Sequence, residues 1–241
     1  MKDYSDFLGA VIFDFDGTLI DSYTERKFAH VVVCKFLSRY LRKESESDQK
    51  SLLKLISKME EEMTNKRMYN RDTWWAEVLN HYLDKPIQVP SKVLNAASSI
   101  YWDTVDKKSV VYPGVEILLQ FLKQNGILLG LISDTDGFKN MKSKRITNSG
   151  FKKYFDAVVI AGEDTKEVKP HKEAFIKIVN LLGVPPEKCI FIGDNPKVDV
   201  LGAKEIGMKT IILEDNQSLF GESPIYPDFS IKGKILTVLR N

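Results

Sequence analysis

Asp14 and Asp16 stand two residues apart, directly after the apolar run Ala10-Val11-Ile12-Phe13 and before Gly17-Thr18. The run is rich in β-branched and aromatic residues and reads as a buried strand over Ala10–Phe15. A strand that ends in acids and a glycine turn presents those acids at its carboxyl edge, where open α/β sheets bind ligands. An ionised acid on an apolar strand needs a partner, so Asp14 is a poor surface acid and a good nucleophile candidate.

Three more spots of this kind fall at strand ends. Ser133-Asp134 closes Ile127–Ser133, Lys169-Pro170 follows Ala157–Ala161, and Gly193-Asp194 closes Cys189–Gly193 with Asp199 five residues on. A fifth strand is read at Lys209–Leu213. Each spot alone is common. All of them in order, at one edge of one sheet, mark a reaction centre.

Helical patterns separate the later strands, at Val115–Lys123, Gly137–Ser149, His171–Leu182 and Pro196–Ile206. The third of these carries Ala174, Phe175, Ile178, Val179 and Leu182 at helical spacing and stops at Gly183. Strands alternating with helices imply right-handed βαβ units and a doubly wound, mainly parallel, Rossmann-like sheet. Residues 23–108 break the alternation with four helical faces and no convincing strand. The faces are Phe28, Val31, Val32 and Phe36; Leu52, Leu55, Ile56, Met59 and Met63; Trp75, Val78, Leu79 and Tyr82; and Val93, Leu94, Ala97, Ile100, Tyr101 and Val105. The expected organisation is an α/β core of residues 1–22 and 109–241 with an all-α cap, 23–108, inserted through hinges near Ser22 and Ser109.

These motifs resemble the haloacid dehalogenase-like (HAD) hydrolase superfamily. Asp14-Phe15-Asp16-Gly17-Thr18-Leu19 is similar to its first motif, Ser133 to its second, Lys169 to its third, and Gly193-Asp194-Asn195-Pro196-Lys197-Val198-Asp199 to its fourth. Gly202-Ala203-Lys204 and Gly207-Met208-Lys209-Thr210 add to the likeness, and the insert is similar to the helical cap of the family's C1 group. The departures are Asp134, where asparagine is common, and Lys172, where proline is common. An added acid at 134 disfavours anionic groups nearby.

The physics of the site stands beside the resemblance. Asp14, Asp16, Asp194 and Asp199 in one pocket repel, and two carboxylates about 4 Å apart do so by roughly 4 kcal/mol at an effective dielectric of about 20. Lys169 alone cannot offset several such pairs, whereas a hard divalent cation can. Oxygen ligands favour Mg²⁺, and His30, His81 and His171 are too scattered to suggest zinc. The expected chemistry is attack of Asp14 on phosphorus to form an acyl phosphate. Asp16 protonates the leaving oxygen and later takes a proton from water, and Lys169 neutralises the phosphate. Ser133 donates to a phosphate oxygen, and Asp134 is placed beside it in the phosphate site. The resemblance implies that Mg²⁺ is held by the Asp14 carboxylate, the Asp16 backbone carbonyl and Asp194, with Asp199 acting directly or through water. An acid at position 16 favours phosphate-ester hydrolysis or phosphoryl transfer over halide displacement.

The expected substrate is a small phosphorylated metabolite. A phosphomutase using the same site is the first alternative, and a binding or regulatory module without turnover is the second. The cluster Lys66, Arg67, Tyr69, Asn70, Arg71, Trp74 and Trp75 has two readings. It is either a basic, aromatic wall for substrate, or a helix start with Trp75 in the bundle core and its charges in water. The chain has 35 basic and 33 acidic residues, a net charge of +2, too balanced to argue for nucleic acid. Cys34 and Cys189 read as reduced core residues. With no apolar run long enough to span a membrane, the expectation is a cytoplasmic monomer or homodimer.

Overall fold

A computed structural model describes residues 8–214 and 226–232. In chain order the elements are β1 (Ala10–Phe13), β2 (Ile20–Asp21), α1 (Tyr23–Leu41), α2 (Glu46–Asn65), α3 (Arg71–Tyr82), α4 (Ser91–Lys108), β3 (Val110–Val111), α5 (Val115–Gln124), β4 (Leu128–Asp134), α6 (Met141–Asn148), β5 (Ala157–Ala161), α7 (Glu173–Leu182), β6 (Cys189–Gly193), α8 (Leu201–Glu205), β7 (Lys209–Glu214) and β8 (Phe229–Lys232). The chain divides into two compact units. One takes the described residues of Met1–Asp21, Val110–Thr135 and Lys139–Asn241, and the other takes Ser22–Ser109 and Asp136–Phe138.

The first unit is built on a six-stranded sheet of order β5-β4-β1-β6-β7-β8, with every neighbouring pair parallel. The period-two alternation of β1 explains why both faces are covered. Val11 and Phe13 join a core with Leu129, Leu131 and the α5 residues Val115, Leu118, Leu119 and Leu122. Ala10 and Ile12 point the other way, into a core with Val159 and the α7 residues Ala174, Phe175, Ile178 and Val179. This is the doubly wound architecture expected from the strand–helix alternation. Consecutive strands leave β1 on opposite sides, so β1 lies between β4 and β6 and the ends of all three adjoin.

Several element ends differ from the sequence expectation. β1 stops at Phe13, leaving Asp14 and Phe15 in the turn that follows. The helix expected from Gly137 begins only at Met141, because Gly137 and Asn140 adopt left-handed φ of 84° and 67°. Gly137 is required sterically as well: a Cβ there would lie 2.1 Å from the Tyr69 carbonyl oxygen. That packing places Asp136–Phe138 in the helical unit rather than in the sheet unit. The helix expected over Pro196–Ile206 is a π-helical turn, Pro196–Val200, followed by α8. The small antiparallel pair β2–β3 and the edge strand β8 have no counterpart in the sequence reading, being two and four residues long.

The second unit holds α1 to α4. Ser45 caps α2 by accepting from the Asp48 amide at 3.1 Å, and Asn70 caps α3 by accepting from Asp72 at 3.0 Å. The buried stripe of α1 is Ala29, Val33, Cys34 and Leu37, not the expected Phe28–Val31–Val32–Phe36 face, and Phe28 is 45% exposed. This helix is apolar on more than one side, so periodicity could not choose between them. Both readings of the Lys66–Trp75 cluster are corrected at Arg71, which is neither in water nor part of an open wall. It is buried, with Cζ 3.8 Å from the Trp74 ring centroid and 3.8 Å from that of Tyr101. Trp75 is core, donating to Ser98 Oγ at 3.0 Å.

Glu60 binds Arg71 Nη2 at 3.1 Å and His30 Nε2 at 2.8 Å. Burial alone would raise its carboxyl pKa, but the His30 hydrogen bond and the Arg71 charge outweigh this and hold it well below the usual range. Breaking a buried pair strands a charge at a cost of about 3–5 kcal/mol. Arg71→Ala is therefore expected to destabilise the helical unit by about that amount in urea unfolding. A loss under about 1 kcal/mol would show that the pair is solvated.

Candidate active site

All the residues of the candidate site lie in the sheet unit. The Asp14 amide donates to the Ile192 carbonyl at 2.9 Å, which continues the β1–β6 ladder by one residue and fixes where the Asp14 side chain departs. The next turn closes with the Leu19 amide on the Phe15 carbonyl at 3.0 Å. Ser133 and Asp134 end β4 on one side of β1, and Gly193 ends β6 on the other. Lys169 follows β5, and its amide donates to Asp134 Oδ1 at 2.9 Å.

The Lys169 ammonium is buried between two carboxylates. Nζ donates to Asp14 Oδ1 at 2.6 Å and to Asp199 Oδ1 at 2.8 Å. Asp199 reaches in because the π-helical turn carries it back over the end of β6, where the Asn195 amide donates to its Oδ2 at 3.0 Å. Gly193 makes this approach possible: a Cβ there would lie 2.3 Å from Asp199 Oδ2. Carboxylate oxygens of Asp14, Asp194 and Asp199 all lie within 4.8 Å of one another. Two of these acids share the Lys169 ammonium and Asp194 lies beside them, and an all-oxygen donor set of that size suits a hard divalent cation. The residues present therefore fit Mg²⁺.

Two expected site residues are placed differently. The Asp16 carboxylate is not among the clustered acids. It faces Arg145, which donates Nη2 to Oδ1 at 2.5 Å and Nη1 to Oδ2 at 3.2 Å, and Lys142, whose Nζ donates to Oδ2. The Asp134 side chain accepts the Lys169 amide, and a carboxylate offers a phosphate no hydrogen. Lys142 and Arg145 were not read as site residues from the sequence. Arg145 was visible only as one position on a helical face, inside the basic run Lys139–Arg145.

Burial pushes the Asp14 carboxyl up, and Asp199 and Asp16 push it further, while Lys169 pulls it down. The net is a rise from 3.8 to about 7. For Lys169, burial lowers the pKa, but the charges of Asp14, Asp199 and Asp134 outweigh it and raise it well above the usual value, so the amine stays protonated. In metal-free protein the raised Asp14 pKa contributes stability that is complete below about 3.8 and is lost as pH rises through about 7. A cation binds the carboxylate and competes with that proton. The rise in Tm on adding Mg²⁺ is therefore expected to be larger at pH 8 than at pH 6. An equal rise at both pH values would contradict the shift.

The family model for a haloacid dehalogenase-like hydrolase matches residues 8–207. The chain belongs to this family. It is 27% identical over 210 residues to N-acylneuraminate-9-phosphatase of Mus musculus, covering 84% of this chain and 81% of that protein. To phosphoglycolate phosphatase of Nitrosococcus oceani it is 26% identical over 211 residues, covering 84% and 82%. The crystal structure of a HAD phosphatase from Thermococcus onnurineus superposes with TM-score 0.65 at 25% identity, over 97% of this chain and 96% of that one. This HAD protein is a hydrolase acting on phosphate monoesters.

Proposed function

We propose that the protein is a Mg²⁺-dependent phosphatase of a small phosphorylated metabolite and works through an aspartyl phosphate on Asp14. The observation that carries this reading is the Lys169 ammonium bridging Asp14 and Asp199 beside Asp194 at one sheet edge. Asp14 attacks phosphorus, and the Lys169 ammonium offsets the charge on the transferring group. The Ser133 hydroxyl, at the end of β4, donates to a phosphate oxygen. Asp16 protonates the departing ester oxygen and then takes a proton from the water that cleaves the acyl phosphate. Asp14, Asp194 and the Asp16 carbonyl, with Asp199 directly or through water, would hold Mg²⁺, which would supply charge neutralisation at the phosphate.

Residues 1–22 and 109–241 serve in this reading as the catalytic core, and 23–108 as the cap that selects substrate. The relatives' names, N-acylneuraminate-9-phosphatase and phosphoglycolate phosphatase, suggest small phosphorylated metabolites for the first panel. Both described cysteines are free, and no described helix is long and apolar enough to cross a membrane. A cytoplasmic setting is part of the proposal. The test is phosphate release from a panel of phosphorylated metabolites, with Mg²⁺ and with chelator. Release that needs Mg²⁺ and stops in chelator is expected. Release undiminished in chelator would remove the metal, isomerised product without free phosphate would mean a mutase, and no turnover of any ester would mean a binding module.

A further inference from the structure

Lys and Arg are almost never fully buried unless paired, yet Lys142 is 3% exposed and Arg145 1% exposed. They stand three apart on α6 and so share one face of it. That face meets the Asp16 carboxylate, through a two-pronged Arg145 fork on both oxygens and a Lys142 contact on Oδ2. The fork fixes the plane of the carboxylate, which a lysine alone would not do. The Arg145 Cζ also lies 5.8 Å from the centroid of the Phe15 ring, a residue with no exposed surface. The start of α6 is itself tied down: Glu163 accepts from the Asn140 amide at 2.8 Å and from Thr135 Oγ1 at 2.9 Å.

We propose that Lys142 and Arg145 are positioning residues that fix the orientation of the Asp16 carboxyl group for its proton transfer with the leaving oxygen. The inference rests on the phosphatase reading above. In that step Asp14 Oδ forms a bond to phosphorus and the ester P–O bond breaks, its electron pair passing to the ester oxygen. That oxygen takes the proton from Asp16, which becomes a carboxylate. The clamp holds that carboxylate in place, directed to accept a proton from the attacking water. The Asp16 carboxylate is thus met by donors of the chain itself and is not one of the clustered acids.

The test compares an alkyl phosphate, a poor leaving group, with p-nitrophenyl phosphate, a good one. Arg145→Met is expected to lower kcat/KM for the alkyl ester by about 100-fold or more, the scale of a lost proton donor, and for the nitrophenyl ester only a few-fold. Arg145→Lys should recover part of the loss. Placed in an Asp16→Asn background, Arg145→Met should add nothing, because the residue through which it acts is already disabled. If Arg145→Met does not fold, Arg145→Gln, which also breaks the two-pronged fork, carries the same comparison. Equal losses on both esters, or losses that add fully to that of Asp16→Asn, would overturn the inference and leave a purely structural pair. If wild-type protein hydrolyses neither ester, it is the phosphatase reading that has failed.

Discussion

Asp14→Asn is expected to lower kcat by on the order of 10⁴- to 10⁶-fold, the scale seen when a covalent nucleophile is removed. Asparagine matches the size of aspartate, and its carbonyl oxygen can accept from the Lys169 ammonium that now contacts Asp14 Oδ1 at 2.6 Å. What it loses is the ability to form an acyl phosphate. The fold should survive, because burial already penalises the charge at this position enough to raise the Asp14 pKa to about 7. A neutral side chain removes that penalty, so metal-free Tm should be unchanged or higher. Full turnover by the variant would dismiss Asp14 as nucleophile. A large fall in Tm would mean that any lost activity reports unfolding.

Lys169→Met is expected to cost kcat about 100- to 1,000-fold, roughly 2.7–4 kcal/mol, the range for removing one preorganised donor from a developing anion. Methionine preserves the buried stem but removes the ammonium that Asp14 and Asp199 share beside Asp194. The second consequence is opposite in sign to the first: with one positive charge gone from the acid cluster, the site should bind Mg²⁺ more tightly. Weaker activity with a lower Mg²⁺ requirement is a combination that simple misfolding does not produce. Reduced activity with weaker Mg²⁺ binding would show that Lys169 holds the acids in position rather than neutralising phosphate.

The parts of this molecule governed by strong local rules were legible in the sequence. The apolar runs at β1, β4, β5, β6 and β7 and the strand–helix alternation led to the parallel sheet, and acids at strand ends are conspicuous because buried charge is rare. Residues whose role depends on distant packing were not legible. Arg145 and Lys142 lie in a stretch that reads only as a helix, and only the folded chain brings them to Asp16, 129 and 126 positions away. Arg71 was misread for a related reason. Its partner Glu60 lies on the preceding helix, and the aromatic rings around it come partly from α4. The turn at Pro196–Val200 looks helical by composition, and its π geometry shows only in how it seats Asp199.

The central claim is that phosphorus becomes bonded to Asp14 during turnover. Rapid acid quench of the enzyme with a ³²P-labelled phosphate ester, followed by digestion and mass spectrometry, tests it most directly. The account predicts label released by hydroxylamine, as an acyl phosphate requires, and confined to the peptide that carries Asp14. Ongoing phosphate release with no label on protein, or with label on any other residue, would contradict it.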